Sequence, residues 1–467
     1  MSEKGNISNE NLTRALQERH IQLIAIGGAI GVGLFLGSNS AIRTAGPALL
    51  LSYLIGGIII FSVMRALGEV AVDYPVSGSF SAYANIFIGP RAGFITGWTY
   101  WFVWIVTGMA EITAVGVYTN YWWPDLPQWI PALAALACMT GVNLASVKIF
   151  GEFEFWFALI KVVIIVAMIA LGGYLIFKAM DFNNISASFK NLTSLEGGFM
   201  PYGMKGTVMA LSMVMFAMVG IELIGVTAGE ASDPQKSIPS AINKVLWRIL
   251  IFYIGTLFII MTIFPWNEIG EKGSPFVIVF KGLGIGPAAG IINFVVLTAA
   301  LSSCNSGIFS NGRMVYTQAL QGRAPAAFKT VNKHHIPSLA IIASSCVMLI
   351  GVLLNYIIPE NVFIVVTSIA TFAAIWIWGT IIVVQIASRK GKTPEEIAKL
   401  KFPTLFYPFY SYLGLIGLAC VAVILCFNPD TRIAMVVGPI WIVALFIIYE
   451  LCGFGKEDRE QLSVEVA

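Results

Sequence analysis

Charge is what this 467-residue chain has least of. Lys, Arg, Asp and Glu make up 11% of it, against 57% hydrophobic residues, whereas an ordinary soluble domain carries roughly 25% charged residues. That deficit excludes a soluble protein. The net charge of +3 excludes a dedicated nucleic-acid binder, so no nucleic-acid partner is expected. Six cysteines (138, 304, 346, 420, 426 and 452) all fall in or beside apolar runs and read as small buried hydrophobes, with no spacing for a disulfide framework. The three histidines, His20, His334 and His335, offer no metal-ligand spacing, and no metal or cofactor is expected. A G-x-x-x-x-G-K-[ST] phosphate loop is missing, which argues against a nucleotide-driven pump or another enzyme. No low-complexity tract is present. The polar segment 1–20 lacks the pattern of a cleavable signal peptide.

What fills the chain is long apolar runs. A bilayer core takes about 20 apolar residues per helix, and twelve such runs lie near 21–41, 46–67, 94–120, 129–147, 155–177, 206–228, 246–264, 286–311, 337–357, 361–386, 408–427 and 434–453. The expectation is an all-α integral membrane protein with twelve transmembrane helices. Positive charge in the loops sets orientation. With the N-terminus inside, twenty of the 28 lysines and arginines fall in cytoplasmic segments, seven fall outside, and Lys161 lies within a span; both termini are therefore expected in the cytoplasm. The 68–92 connection is too weakly apolar to span and reads as interfacial, on the inner face.

The first span contains Gly27, Gly28, Gly31, Gly33 and Gly37. Each interior glycine costs a helix about 1 kcal/mol relative to alanine, so the cluster marks a place where the helix opens. Opened backbone at membrane depth is tolerated only where it is buried in protein or lines a cavity. The sixth span repeats the feature: Phe216-Ala217-Met218-Val219-Gly220-Ile221-Glu222 places glycine mid-span beside a carboxylate. Two interrupted spans in matching positions, five spans apart, point to an inverted-repeat transporter. Units of five spans necessarily enter the membrane from opposite sides. The organisation expected is a cytoplasmic segment 1–20, a first repeat 21–177, a second repeat 206–386, two further helices 408–453 and a cytoplasmic tail 454–467. Small-xxx-small helix packing is the other reading of these glycines, since Gly27 with Gly31 and Gly33 with Gly37 fit that spacing.

Three ionisable residues sit well inside spans: Glu111, Lys161 and Glu222. A charge at a lipid-facing helix centre costs at least ~2.5–3.5 kcal/mol, so these groups face the interior; a structural ion pair remains open, above all for Glu111. Lys161 lies about six residues into its span, roughly 10 Å deep at 1.5 Å per residue, too deep to snorkel. A charge that appears and disappears there, beside the broken helix, would couple protonation to opening. The breaks themselves suit a zwitterion. The outer half of span 1 begins near 32–34 with free N–H groups that accept a carboxylate. Carbonyls near 26–29 and 216–219 can take an ammonium. An α-amino acid carries both groups, and side chains such as Phe216 would shape the pocket for its variable part.

Several stretches are recognisable together: Leu16-Gln17-Glu18-Arg19-His20 running into the glycine cluster, Tyr74-Pro75-Val76-Ser77-Gly78-Ser79-Phe80, Gly97-Trp98-Thr99-Tyr100-Trp101 and Glu154-Phe155-Trp156-Phe157-Ala158-Leu159-Ile160-Lys161. Gly220-Ile221-Glu222-Leu223, Gly229-Glu230, Asp233-Pro234 and Asn293-Phe294-Val295-Val296-Leu297-Thr298 complete the set. Over nearly its whole length the chain resembles bacterial amino acid permeases of the amino acid–polyamine–organocation superfamily, in the proton-coupled branch. The resemblance implies the leucine-transporter fold, a 5+5 inverted repeat plus two C-terminal helices with spans 1 and 6 broken. It implies substrate binding at Ile26, Ala29, Val32, Gly33, Phe216, Val219 and Gly220. Backbone at Ala29, Val32 and Gly33 would hold the carboxylate, and carbonyls of Ile26, Phe216 and Val219 the ammonium. Proton coupling and gating fall to Lys161, Glu222, Glu111, Ser302 and Ser303, with Lys161 standing where sodium-coupled relatives bind sodium. Val32 departs from relatives that have Ser or Thr there, so backbone alone must serve the carboxylate.

The function implied is proton-coupled import of small neutral α-amino acids of the serine, threonine, alanine and glycine class, by alternating access across a bacterial plasma membrane. The proton is the coupling ion, the bilayer the surroundings, and no obligatory protein partner is expected. Proline or aromatic amino acids are the alternative substrates, and a channel or amino acid sensor the alternative of another class. A major-facilitator carrier would have a basic Gly-Asp-Arg-type loop after span 2, where this chain has Gly68-Glu69-Val70-Ala71-Val72-Asp73-Tyr74.

Overall fold

The computed structural model describes residues 30–74, 79–178, 181–182, 185–226, 234–269, 273–282, 284 and 286–454. The expected substrate contacts Ile26 and Ala29 lie outside the described residues, as do the start of span 1, segment 1–20 and nearly all of the tail.

The chain opens with two short helices, α1 (Val32–Phe35) and α2 (Gly37–Ala45), and continues through α3 (Leu49–Asp73), α4 (Ser79–Phe87), α5 (Pro90–Thr119), α6 (Trp129–Ala145) and α7 (Val147–Phe177). A two-residue antiparallel ladder, Asp181–Phe182 with Ile185–Ser186, follows. Then come α8 (Gly203–Met209), α9 (Leu211–Ala217), α10 (Leu223–Val226), α11 (Pro234–Arg248) and α12 (Thr256–Ile263), the last two joined by a π-helical stretch Ile249–Gly255. The main helices that follow are α13 (Pro275–Gly282), α14 (Gly286–Leu320), α15 (Ser338–Ile357), α16 (Val362–Arg389), α17 (Phe409–Phe427) and α18 (Ala434–Leu451), with short helical turns such as Pro394–Ala398 between them. Among the described residues nine helical stretches are long and apolar enough to cross a membrane, and the apolar helices Trp129–Ala145 and Gly203–Ala217 are shorter. The protein is multi-pass and almost wholly helical.

Helix α5 is the central pillar, packing most extensively against α14 and α16. Its polar side chains act as fasteners: Asn355 Nδ2 donates to Thr113 Oγ1 at 2.8 Å, Asn293 Nδ2 to the Tyr118 carbonyl at 2.8 Å, and Trp101 Nε1 to Ser344 Oγ at 3.0 Å. Between helices in lipid such bonds are each worth about 0.6–2 kcal/mol. The two C-terminal helices lie at the periphery, where much of their apolar surface (Ile416, Val423, Ile440, Ile447) is exposed.

Two features differ from the sequence reading. Of the six cysteines, only Cys304 is buried; the other five are exposed. An apolar run in a membrane protein turns as readily to lipid as to core, so hydrophobic context does not imply burial in protein. The 68–92 connection is likewise not one interfacial segment. Its first six residues are the end of α3, and Glu69 there is buried. Its carboxylate accepts from Arg389 Nε at 2.6 Å and Gln385 Nε2 at 2.9 Å on α16, and from the Thr404 amide. Arg65, one turn back, donates to the Pro403 carbonyl and lies 3.6 Å over the Phe402 ring. A buried ion pair thus ties α3, α16 and the segment leading to α17 together, which is why so polar a sequence stays helical.

Candidate functional site

Helix α1 begins at Gly31, which is extended and has no side chain to cap the helix. The amide of Leu34 reaches back to the Gly31 carbonyl at 3.2 Å, leaving the first amides to find partners elsewhere. The Glu111 carboxylate of α5 and the Ser303 hydroxyl of α14 lie beside Gly31, so close that a Cβ built there would stand 3.0 Å from Glu111 Oε1 and 3.4 Å from Ser303 Oγ. Just before the helix, the Ile30 carbonyl accepts from Lys161 Nζ at 3.2 Å. Lys161 also donates to Ser302 Oγ at 3.1 Å, and Ser302 Oγ donates to Glu154 Oε1 at 2.7 Å. Lys161, Glu154 and Ser302 are completely buried.

The sixth apolar run is interrupted between α9 and α10. Helix α9 stops at Ala217, whose carbonyl accepts from Tyr253 Oη at 2.9 Å. The chain then runs through tight turns, with the Val219 amide on the Phe216 carbonyl at 3.0 Å. Gly220 takes φ +97°, a conformation that a side chain strongly disfavours. The Glu222 carboxylate secures this turn by accepting from the Gly220 amide at 3.1 Å and from Trp378 Nε1 of α16 at 3.2 Å.

The start of α1 and this interruption meet. A cavity of about 20 Å³ is bounded by Gly31 and Gly33 on one side and Phe216, Ala217 and Val219 on the other, and α5 (Trp104, Thr107, Glu111) and Ser303 of α14 complete it. That is room for about one water molecule. A larger cleft, about 920 Å³, lies between α5, α16, α17 and α18 and is lined almost wholly by apolar side chains. It holds none of the candidate residues.

Gly33 sets how closely α1 and α9 approach, since a Cβ built there would stand 2.5 Å from Ala217 Cα, a backbone atom that cannot step aside. Gly33→Ala is therefore expected to cost about 1–3 kcal/mol through overpacking, read as a lowered unfolding temperature in detergent. Gly141→Ala on α6, where an added methyl meets nothing within 4 Å, is the control, expected neutral or stabilising by up to about 1 kcal/mol.

Of the residues singled out in the sequence, the structure gathers Gly33, Phe216, Val219, Glu111 and Ser303 around the cavity and sets Lys161 and Ser302 directly behind it. Val32 opens α1 between the two cavity glycines and is itself buried. Gly220 and Glu222 form the adjoining turn, and Glu222 faces Trp378. Sequence reasoning missed Trp104, Thr107, Tyr253 and Glu154 as neighbours of the site. Glu154 stood in plain view seven residues before Lys161, two turns along the same helix face. A span start at 155 left it one residue outside, whereas α7 begins at Val147. No group of three or more His, Cys, Asp or Glu able to hold a metal ion occurs among the described residues.

Comparison with known proteins is consistent along the whole chain. The family profile described as amino acid permease matches residues 20–458. An uncharacterized amino acid permease of Bacillus subtilis (strain 168), YtnA, is 56% identical over 97% of this chain and 98% of its own. The probable threonine/serine transporter YbxG of the same organism is 48% identical over 98% of both chains. The aromatic amino acid transport protein AroP of Salmonella typhimurium (strain SL1344) is 44% identical over 95% of this chain and 96% of its own.

Proposed function

The chain belongs to the amino acid permease family, and from that premise we propose that it is a proton-coupled importer of small neutral α-amino acids, working by alternating access in a bacterial plasma membrane with both termini cytoplasmic. In this reading the fold is the twelve-helix, 5+5 inverted-repeat architecture, and the two interruptions are the broken first and sixth spans. The observation that carries it is the buried Lys161 ammonium on the Ile30 carbonyl, just before α1 begins. A cation at that carbonyl ties the broken segment to α7 and α14; deprotonation removes a donor and frees the segment to move. Proton and movement are thereby linked.

The substrate carboxylate would sit on the amides that open α1, at Val32 and Gly33, and its ammonium on carbonyls of Ile26, Phe216 and Val219. The Glu111 carboxylate lies in the same small cavity, where its negative charge would oppose the substrate carboxylate and its protonation would favour it. Glu222 shapes the second interruption without touching the ligand. The narrowness of the cavity and the likeness to a probable threonine/serine transporter favour a small side chain. The likeness to an aromatic amino acid transport protein supports a second reading, in which Trp104 and Phe216 would be the walls an aromatic substrate stacks on.

Uptake of labelled serine into proteoliposomes, with an acidic exterior and competed by each of the twenty amino acids, tests this. Alanine, threonine and glycine are expected to compete, and collapsing the pH gradient to remove accumulation. Competition by aromatic amino acids alone would transfer the site to the second reading. Accumulation indifferent to the gradient would refute proton coupling.

A further inference from the structure

The Lys161 ammonium does not end at Ile30. Its second bond runs to Ser302 Oγ at 3.1 Å, and that hydroxyl points its own hydrogen at Glu154 Oε1, 2.7 Å away. Each donor in this chain faces the next acceptor, the arrangement a proton needs in order to hop. Glu154 also lies against Asn305 and Ser306 of α14, and Asn143 of α6 donates to Asn305 Oδ1 at 2.9 Å. A polar seam thus runs between α6, α7 and α14, inside an otherwise apolar protein. A carboxylate with no exposed surface is costly in such surroundings; an ion pair with Lys161 alone would be satisfied by direct contact, whereas here a hydroxyl stands between the two. The other charged groups that face Lys161 are Glu111 from α5 and Arg248 from α11. Glu154 lies about 10 Å nearer the start of α7 than Lys161 does, at 1.5 Å per residue.

We propose that Glu154 is the relay through which Lys161 exchanges its proton with the membrane face on which α7 begins. The transfer is concerted. The Lys161 ammonium gives one hydrogen to Ser302 Oγ as the Ser302 hydroxyl gives its own to Glu154. Lysine becomes the neutral amine, glutamate the carboxylic acid, and the hydroxyl is restored. Nothing is oxidised or reduced. With the cytoplasm on that face, the acid delivers its proton inward and the carboxylate is ready for the next cycle. The inference rests on the proton-coupled reading given above and adds to it the exit route and its carrier.

The test uses the full chain in proteoliposomes with a pH dye inside, labelled serine as substrate, and Glu154→Gln beside Glu154→Asp. Glutamine keeps the size and the acceptor for Ser302 but cannot carry the proton. For Glu154→Gln, serine-driven acidification of the lumen is expected to fall more than about tenfold, a difference of 1.4 kcal/mol or more, while serine counterflow stays within about twofold, and Glu154→Asp recovers part of the proton flux. Equal loss of counterflow and proton flux would show a structural role and overturn the relay. Proton flux in Glu154→Gln matching wild type would overturn it too, leaving coupling through Lys161 intact. Serine uptake without acidification in the wild type would sink the proton-coupled reading itself, and the relay with it.

Discussion

Lys161→Ala is expected to abolish gradient-driven accumulation of substrate. Among the described residues the buried ammonium donates to the Ile30 carbonyl and to Ser302, and a bond to a charged group is worth about 1.5–3 kcal/mol. Losing one such interaction in the transport cycle corresponds to a factor of roughly 10–100 in rate. The substitution also strips the positive charge from a region shared with two buried carboxylates, Glu111 and Glu154, so expression and monodispersity in detergent must be measured alongside transport. The specific signature lies in the gradient. Any uptake that survives in Lys161→Ala is expected to run at the same rate with and without an inward proton gradient, whereas wild-type uptake is expected to depend on it. A variant that still accumulates labelled serine against a concentration gradient would show that the lysine only braces the fold.

Glu69→Ala is expected to produce the largest loss of stability, through a different mechanism. The Glu69 carboxylate is buried and accepts four hydrogen bonds, two from Arg389, one from Gln385 and one from the Thr404 amide. Truncating it leaves the Arg389 guanidinium buried without its anion. Removing one member of a buried pair typically costs 3–5 kcal/mol, because an uncompensated charge is left behind. The Tyr407 ring, 4.0 Å from the guanidinium carbon, offsets only a fraction of that. A few residues away, Lys392 pairs with Asp73, which is partly exposed, and a surface pair contributes about 0–1 kcal/mol. Asp73→Asn should therefore barely change the unfolding temperature that Glu69→Ala lowers strongly. Equal effects from the two substitutions would mean that burial does not govern this cluster.

The membrane-spanning character, the positions of most apolar helices and the interruption between α9 and α10 were legible in the sequence because each has a local signature. Apolar length marks a span, and glycine beside a carboxylate marks an opening. The conjunction of Gly33 with Ala217, or of Glu111 with Gly31, has no such signature, since it arises only when helices far apart in the chain pack together. Glu69 and Arg389 illustrate the same limit: each looks like loop or helix-end charge until α3 and α16 are placed side by side. Glu154 was hidden by a boundary, where an apolar run begins later than the helix that carries it. Glu222 was legible as a buried acid, but only the structure shows its carboxylate turned to the Gly220 amide and Trp378.

Three contacts converge at the start of α1. The Ile30 carbonyl accepts from the Lys161 ammonium, Gly31 lies beside the Glu111 carboxylate, and Gly33 sets the approach to α9. Because one short segment serves all three, proton release and substrate release would be felt at the same backbone.

The most direct measurement follows the lumen pH of proteoliposomes while labelled serine enters without an imposed gradient. Proton-coupled import through this site predicts that serine addition acidifies the lumen in step with uptake, and that Lys161→Ala shows no acidification. Serine entering at full rate with the lumen pH unchanged in the wild-type protein would contradict the account.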